Sequence, residues 1–290
     1  MFFWEPDLCN EFFEKMVRRT IVAVRVPKRC YKMLTTAPML HKFWLLPARE
    51  TNGSRDPDGR VYRARQILSF SNEENATGRK YLNEKGYDDY TKFVCLLVRD
   101  REYLRRVNDK LGQSRDSSYH DYRDSDIETY CAAAEYLAEK GYVVFRMGKH
   151  MERPMHSDSQ RIIDYAFSAE RCDFLDIWLM ANCAFCVSTG AGLDAIATIF
   201  RRPTLYLNFL PLGDIWSSQF CVTVPKKIYW QDSGRLLSAH EYMEHSYHSS
   251  SDYDQNNLKI QALGSDEILN ASSRWTKEWR AVGMKLRRLV

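Results

Sequence analysis

Nowhere in the 290 residues is there a run of about twenty apolar side chains, the length a helix needs to cross a bilayer. The start, MFFWEPDL, lacks a basic segment followed by a long apolar one, so no secretory leader is expected and the setting is read as cytoplasmic. Charge of one sign is lacking too. Lys and Arg number 42 against 38 Asp and Glu, a formal net charge of +4, which does not suggest the concentrated basic face of a nucleic-acid binder. Metal spacing is sparse. Of the 8 cysteines only Cys183 and Cys186 form a C-x-x-C, at the start of an apolar run and with no second pair, so buried free thiols are expected rather than a zinc site. HEYMEHSYH lacks the H-E-x-x-H spacing, since His240 and His245 are five apart and fall on different faces of a helix. In a reducing compartment the sequons at Asn52, Asn75 and Asn270 carry no meaning.

What is present is an apolar content of 44%, enough for a large core in one large or two modest domains. The stretch from Cys183 to Phe209, CAFCVSTGAGLDAIATIFRRPTLYLNF, organises the rest. Ala184 to Val187 reads as a buried strand, and Ser188, Thr189, Gly190, Ala191 and Gly192 as a tight turn. Leu193, Ile196, Ala197, Ile199 and Phe200 have helical spacing, and Pro203 stops the helix before a second strand, Thr204 to Leu207. A parallel strand pair joined by a helix puts this turn where open α/β sheets bind ligands, with helix N–H groups facing it. A phosphate or diphosphate suits such a turn; otherwise the glycines make a bend and Ser or Thr caps the helix.

Along the chain, residues 10–18 read as a helix and 20–26 as a strand, with a loop or linker over 50–62. Ser71 with Glu74 three residues on marks a helix start, and that helix ends near Gly86. From Lys92 the pattern is α/β alternation: strand Phe93 to Val98, a loop, helix Ile127 to Lys140, strand Tyr142 to Phe145, a short strand at 162–166 and a helix at 173–180. Further on, 211–220 reads as a loop over the crevice, 222–230 as a strand or extended edge, the histidine-rich segment as a solvated helix, and 273–290 as a basic amphipathic helix. That last helix carries Trp275 and Trp279, and either packs on the domain or docks on an acidic membrane surface.

The strand ends deliver Arg99, Asp100, Arg146, Gly148, the 188–192 turn and Asn208 to one rim. Arginines there can hold a phosphate through paired hydrogen bonds, or be ordinary charges paired to nearby aspartates. The loop YHDYRDSD offers His120, Asp121, Asp124 and Asp126 as candidate bases, Arg123 as a cation, and Tyr119 and Tyr122 as flat stacking surfaces. Asp126 also suits the cap of the helix at Ile127.

These motifs in order, FVCLLVRDREYL, SYHDYRDSDIETY, YVVFRMG, IIDYAFS, DFLDIWL and the 183–209 stretch, resemble glycosyltransferases found among bacterial surface-polysaccharide genes, of the GT-B type. The resemblance covers roughly residues 65 to 215. It implies a GT-B-like α/β fold, with a Rossmann-type parallel sheet over 89–290 and a reduced acceptor-side region over 1–88. It implies a nucleotide-diphosphate sugar as donor, a cell-surface glycan or lipid-linked acceptor, no metal, no cofactor beyond the donor itself, and peripheral contact with the inner face of a membrane. The implied donor-binding set is Arg99, Tyr122, Arg123, Arg146, Gly148, Ser188, Thr189, Gly190, Ala191, Gly192 and Asp194. Asp100, Asp121 and Asp124 are the alternatives for the base that deprotonates the acceptor. A non-catalytic nucleotide-sugar-binding subunit and a sugar-nucleotide epimerase are the rival readings.

Overall fold

The computed structural model describes residues 9–20, 27, 29–30, 63–110, 118–215 and 221–287. The expected strand at 20–26 beyond Thr20, the loop at 50–62 and residues 216–220 of the crevice loop lie outside these. Six strands form one parallel sheet in the order β3-β2-β1-β4-β5-β6: β1 (Phe93–Leu97), β2 (Val143–Arg146), β3 (Ile162–Ile163), β4 (Phe185–Ser188), β5 (Thr204–Leu207) and β6 (Cys221–Val224). This is the expected α/β class with a Rossmann-type sheet. The chain winds outward from β1 through β2 to β3, then returns to β4 on the other side of β1, so the order reverses between β1 and β4. Carboxyl ends at such a reversal leave a crevice, because the connections leave toward opposite sides.

Alternate residues of β1 feed opposite faces, as the period of a strand requires. Phe93, Cys95 and Leu97 enter one core cluster with Met16, Tyr81, Phe145 and Trp178, while Val94, Leu96 and Val98 enter a second with Ala134, Leu137, Phe185 and Trp275. The first face is covered by α1 (Glu11–Thr20), α2 (Asn72–Glu84) and α5 (Asp173–Asn182). Ser71 and Glu74 make the expected reciprocal cap of α2. The second face is covered by α4 (Cys131–Glu139) and α9 (Ser265–Arg287). Trp275 lies buried edge-on to Phe185, with ring centroids 6.2 Å apart, so that part of the last helix packs on the domain. Cys95, Cys183 and Cys186 are buried free thiols in the first core.

Two expectations need correction. The span after Arg101, read as loop, begins with α3 (Glu102–Lys110), whose Glu102 binds Arg105 and Arg106 on the next turn. The strand expected at 222–230 is two strands. Pro225 has no N–H for a ladder, and beyond it the chain leaves the parallel sheet as β7 (Lys227–Trp230), which pairs antiparallel with β8 (Leu258–Gln261). Between them lie α7 (Ala239–Glu244) and α8 (Ser250–Gln255), and α6 (Asp194–Ile199) follows β4. A third core joins the hairpin-like unit to the rim through Tyr122, Ile228, Tyr242, Tyr253 and Leu258.

Candidate functional site

At the reversal, Arg99 lies just beyond β1 and Thr189 just beyond β4, and the two are tied because the Arg99 N–H donates to Thr189 Oγ1 at 2.9 Å. The segment Ser118–Arg123 is a 3-10 helix laid across these ends. Arg123 donates to the Gly190 carbonyl, Ser125 N–H donates to the Arg99 carbonyl at 3.0 Å, and Arg99 Nε meets Asp124 Oδ1 at 3.2 Å. Lys226, which follows β6, completes the group: its side chain is 4% exposed and its ammonium donates to the Asp124 carbonyl. Three cations thus gather around Asp124 and the turn, Arg99 on the Asp124 carboxylate, Lys226 on the Asp124 carbonyl and Arg123 on the Gly190 carbonyl, while the partly exposed Asp121 lies 3.9 Å from Arg101.

The electrostatics follow from burial. Burial pushes the Asp124 carboxyl up, opposed by Arg99. Burial also lowers Lys226 to about 8, with Asp124 opposing that shift and Arg99 adding to it. His120 falls to about 4, first through burial and then through the charges of Arg99 and Arg123. Its neutral ring has Nδ1 buried without a partner and lies on Tyr119, centroids 3.8 Å apart. Beside that burial, Arg99 and Arg123 leave positive charge around the ring. Such a place attracts an anion.

The structure brings together Arg99, Arg123, Asp124 and Gly190 of the residues expected from sequence, with Asp121 at the margin. Others it spends internally. Ser188 Oγ donates to Asp194 Oδ2 at 2.7 Å and accepts from the Gly190 N–H, and the Ala191 N–H donates to the same Asp194 oxygen at 2.8 Å. Ser188, Thr189 and Asp194 are therefore buried braces of the turn, not groups facing a ligand. Gly192 is exposed on the outer side of that turn. Gly190 has φ +84, and a Cβ there would lie 2.7 Å from the Phe209 ring, so no other residue fits without displacement. Gly148 is likewise structural: its φ is +155 and a Cβ would meet Met151 Sδ at 2.4 Å.

Arg146 is 1% exposed and donates to Asp164 Oδ1 and to the Arg153 carbonyl, each at 3.0 Å, so it anchors a loop inside the protein. Asp100 accepts the Glu102 N–H on one oxygen and the Glu152 N–H on the other, which caps α3. Tyr122 is 5% exposed within the third core and cannot offer its face, whereas Tyr119 is 42% exposed. Asn208, placed at the rim by sequence, is buried between the Tyr130 hydroxyl and the Leu263 N–H. Asp126 accepts the Glu128 N–H and caps the helical turn at Ile127, as expected. Lys226 was not foreseen, although a lysine two residues beyond a strand of the same sheet was the signal.

Among the described residues no cluster of three or more His, Cys, Asp or Glu could hold a metal ion, and no helix is long and apolar enough to cross a membrane. No protein-family model matches the sequence, and no curated protein matches it. Among solved structures, the chain is similar to a glycosyl transferase family 9 protein from Veillonella parvula DSM 2008, with TM-score 0.36 and 9% identity over 55% of this chain and 42% of that one. It is similar also to the ADP-heptose LPS heptosyltransferase II of E. coli, with TM-score 0.36 and 14% identity over 54% of this chain and 44% of that one. The matched part is less than half of either structure. The chemistry below is argued from this chain's own residues.

Proposed function

We propose that the chain is a glycosyltransferase that holds a nucleotide-diphosphate sugar at the carboxyl end of its parallel sheet and passes the sugar to a cell-surface glycan or lipid-linked acceptor. The observation that carries this reading is the gathering of Arg99, Arg123 and Lys226 at the carboxyl ends of the strands, around Asp124 and the Gly190 carbonyl. The ordered motifs that resemble surface-polysaccharide glycosyltransferases support it independently. In the transfer, the bond between the sugar and the diphosphate breaks as an acceptor hydroxyl oxygen bonds to the same carbon. The three cations balance the charge that develops on the departing diphosphate, a task that needs no metal. Asp121, the aspartate whose carboxylate is neither capping backbone nor held by Arg99, takes the hydroxyl proton.

A second reading, a binding subunit without transfer, is favoured by one fact: the Asp194 carboxylate already occupies the Ala191 N–H, and Ser188 the Gly190 N–H, of the turn where a diphosphate would sit. A thermal-shift screen of nucleoside diphosphates and their sugars, with and without magnesium, tests both. A magnesium-independent shift with one diphosphate that disappears in Arg123→Ala is expected. Silence across the panel overturns the donor site, and binding without transfer across an acceptor panel selects the second reading.

A further inference from the structure

A cavity of about 1120 Å³ lies at the other end of the sheet, around the amino ends of β1, β2 and β4. Five cations line it, Arg79, Lys92, Lys140, Arg161 and Arg202, against two carboxylates, Asp88 and Asp89. We infer that this groove is a second binding site, for an acidic oligosaccharide whose carboxylates meet its cations.

Three features carry the inference. Arg79, Arg161 and Lys92 can be engaged cheaply: the pair Arg79–Asp89, at 3.3 Å, has both side chains more than half exposed, so a ligand carboxylate displaces little by taking Arg79. Arg161 gives one of its five N–H donors to the Gly141 carbonyl, and Lys92 is exposed. Secondly, Tyr90 is 89% exposed on the wall of the groove, a flat apolar face of the kind on which a sugar ring rests. Thirdly, the lining mixes donors with acceptors. Asn75 takes the Trp178 indole N–H and Asn182 donates to the Trp178 carbonyl, so each spends one end of its amide on the wall and keeps the other. Sugar hydroxyls need both kinds of partner. A surface for nucleic acid would exclude Asp88 and Asp89, because its ligand is anionic along its whole length. The strand β1 separates this groove from the carboxyl-end site by about 16 Å, so the two bind independently.

The test is calorimetric titration of the whole chain with oligogalacturonate, its neutral methyl-esterified counterpart, and single-stranded DNA. Binding of oligogalacturonate that weakens with salt is expected, with a loss of about tenfold or more in Lys92→Glu and in Arg161→Glu. Both residues are exposed, and unchanged melting curves confirm that the variants fold. Tyr90→Ala is expected to lose less, about threefold. Absence of binding, equal binding of the neutral oligomer, tighter binding of DNA, or an unchanged affinity in Lys92→Glu would each overturn the inference. The diphosphate shift measured on Lys92→Glu stays intact if only this groove is misread, and is missing already in the unaltered chain if the donor site is misread.

Discussion

At the carboxyl ends of β1 and β4 the cations are gripped by the protein, whereas at the amino ends Arg79, Lys92, Lys140 and Arg161 stand in solvent. Lys226 is 4% exposed, and Arg99 and Arg123 are bound to Asp124 and Gly190. At the opposite end Arg79 and Asp89 form a pair that water surrounds on most sides. The same residue types therefore carry different costs. A charge held out of water must be stabilised by partners, and its proton equilibria move; a solvated charge does neither. Hence the carboxyl end shows the displaced titrations of His120 and Lys226.

The sharpest way to break this comparison is to remove one cation from each class. Arg146, at the carboxyl end of β2, is the extreme of the buried class. Arg146→Ala would leave Asp164 and the Arg153 carbonyl without their donor, and a loss of about 3–5 kcal/mol in urea unfolding is expected. Arg79→Ala, losing an exposed pair, should cost about 0–1 kcal/mol. Equal losses would mean that the two ends do not differ in kind. Because Arg146 faces inward, its variant should still respond to nucleoside diphosphates at temperatures where it is folded.

Next in size is the proton on Lys226. Its folded value of about 8 lies below the ordinary 10.5, so between these two pH values the unfolded chain binds a proton that the folded one does not. Stability therefore rises with pH across that window, and the penalty present below it is of order 3 kcal/mol. Lys226→Met should flatten the rise. Anion binding to a lysine that must first take up a proton weakens in the same window, so diphosphate affinity is expected to fall above pH 8 in the unaltered chain and to lose that dependence in the variant. A slope unchanged by Lys226→Met would assign it to another group.

How much of this was legible depended on range. The strands β1, β2, β4 and β5 are continuous apolar runs, which only a sheet covered on both faces requires, and they were found within a residue or two. Helix α3 was missed because EYLRRVNDK holds only three apolar residues, Tyr103, Leu104 and Val107, too short a stripe to stand out among its charges, and its first turn is held by the Asp100 cap and the Glu102 pairs. The pairing of β7 with β8 was missed because the partners are separated by two helices in sequence. In the site, Arg99 was legible as a charge following an apolar strand, and Arg123 and Asp124 as charges of the polar loop YHDYRDSD. That Arg146 and Asp194 are spent inside was not, since only the packed structure gives them Asp164 and Ser188 as partners.

The smallest effect concerns two neighbouring tyrosines that sequence reading treated alike. Tyr122 is buried against Tyr253, centroids 5.4 Å apart, and its N–H donates to Ser250 Oγ, so it joins the β7–β8 unit to the rim. Tyr119 keeps 42% of its surface in water and shares its ring with His120. A nucleoside base or sugar that stacks at this rim therefore stacks on Tyr119. Tyr119→Ala is expected to weaken nucleoside-diphosphate binding by about fivefold, some 1 kcal/mol, while leaving inorganic diphosphate and the melting temperature unaffected. Tyr122→Ala should do the reverse, lowering the melting temperature by loss of an aromatic from the third core before any ligand is added. Titration of both variants with the nucleoside diphosphate and with inorganic diphosphate separates them. Loss of inorganic diphosphate binding in Tyr119→Ala would show that the ring holds the cations in place instead of carrying the base.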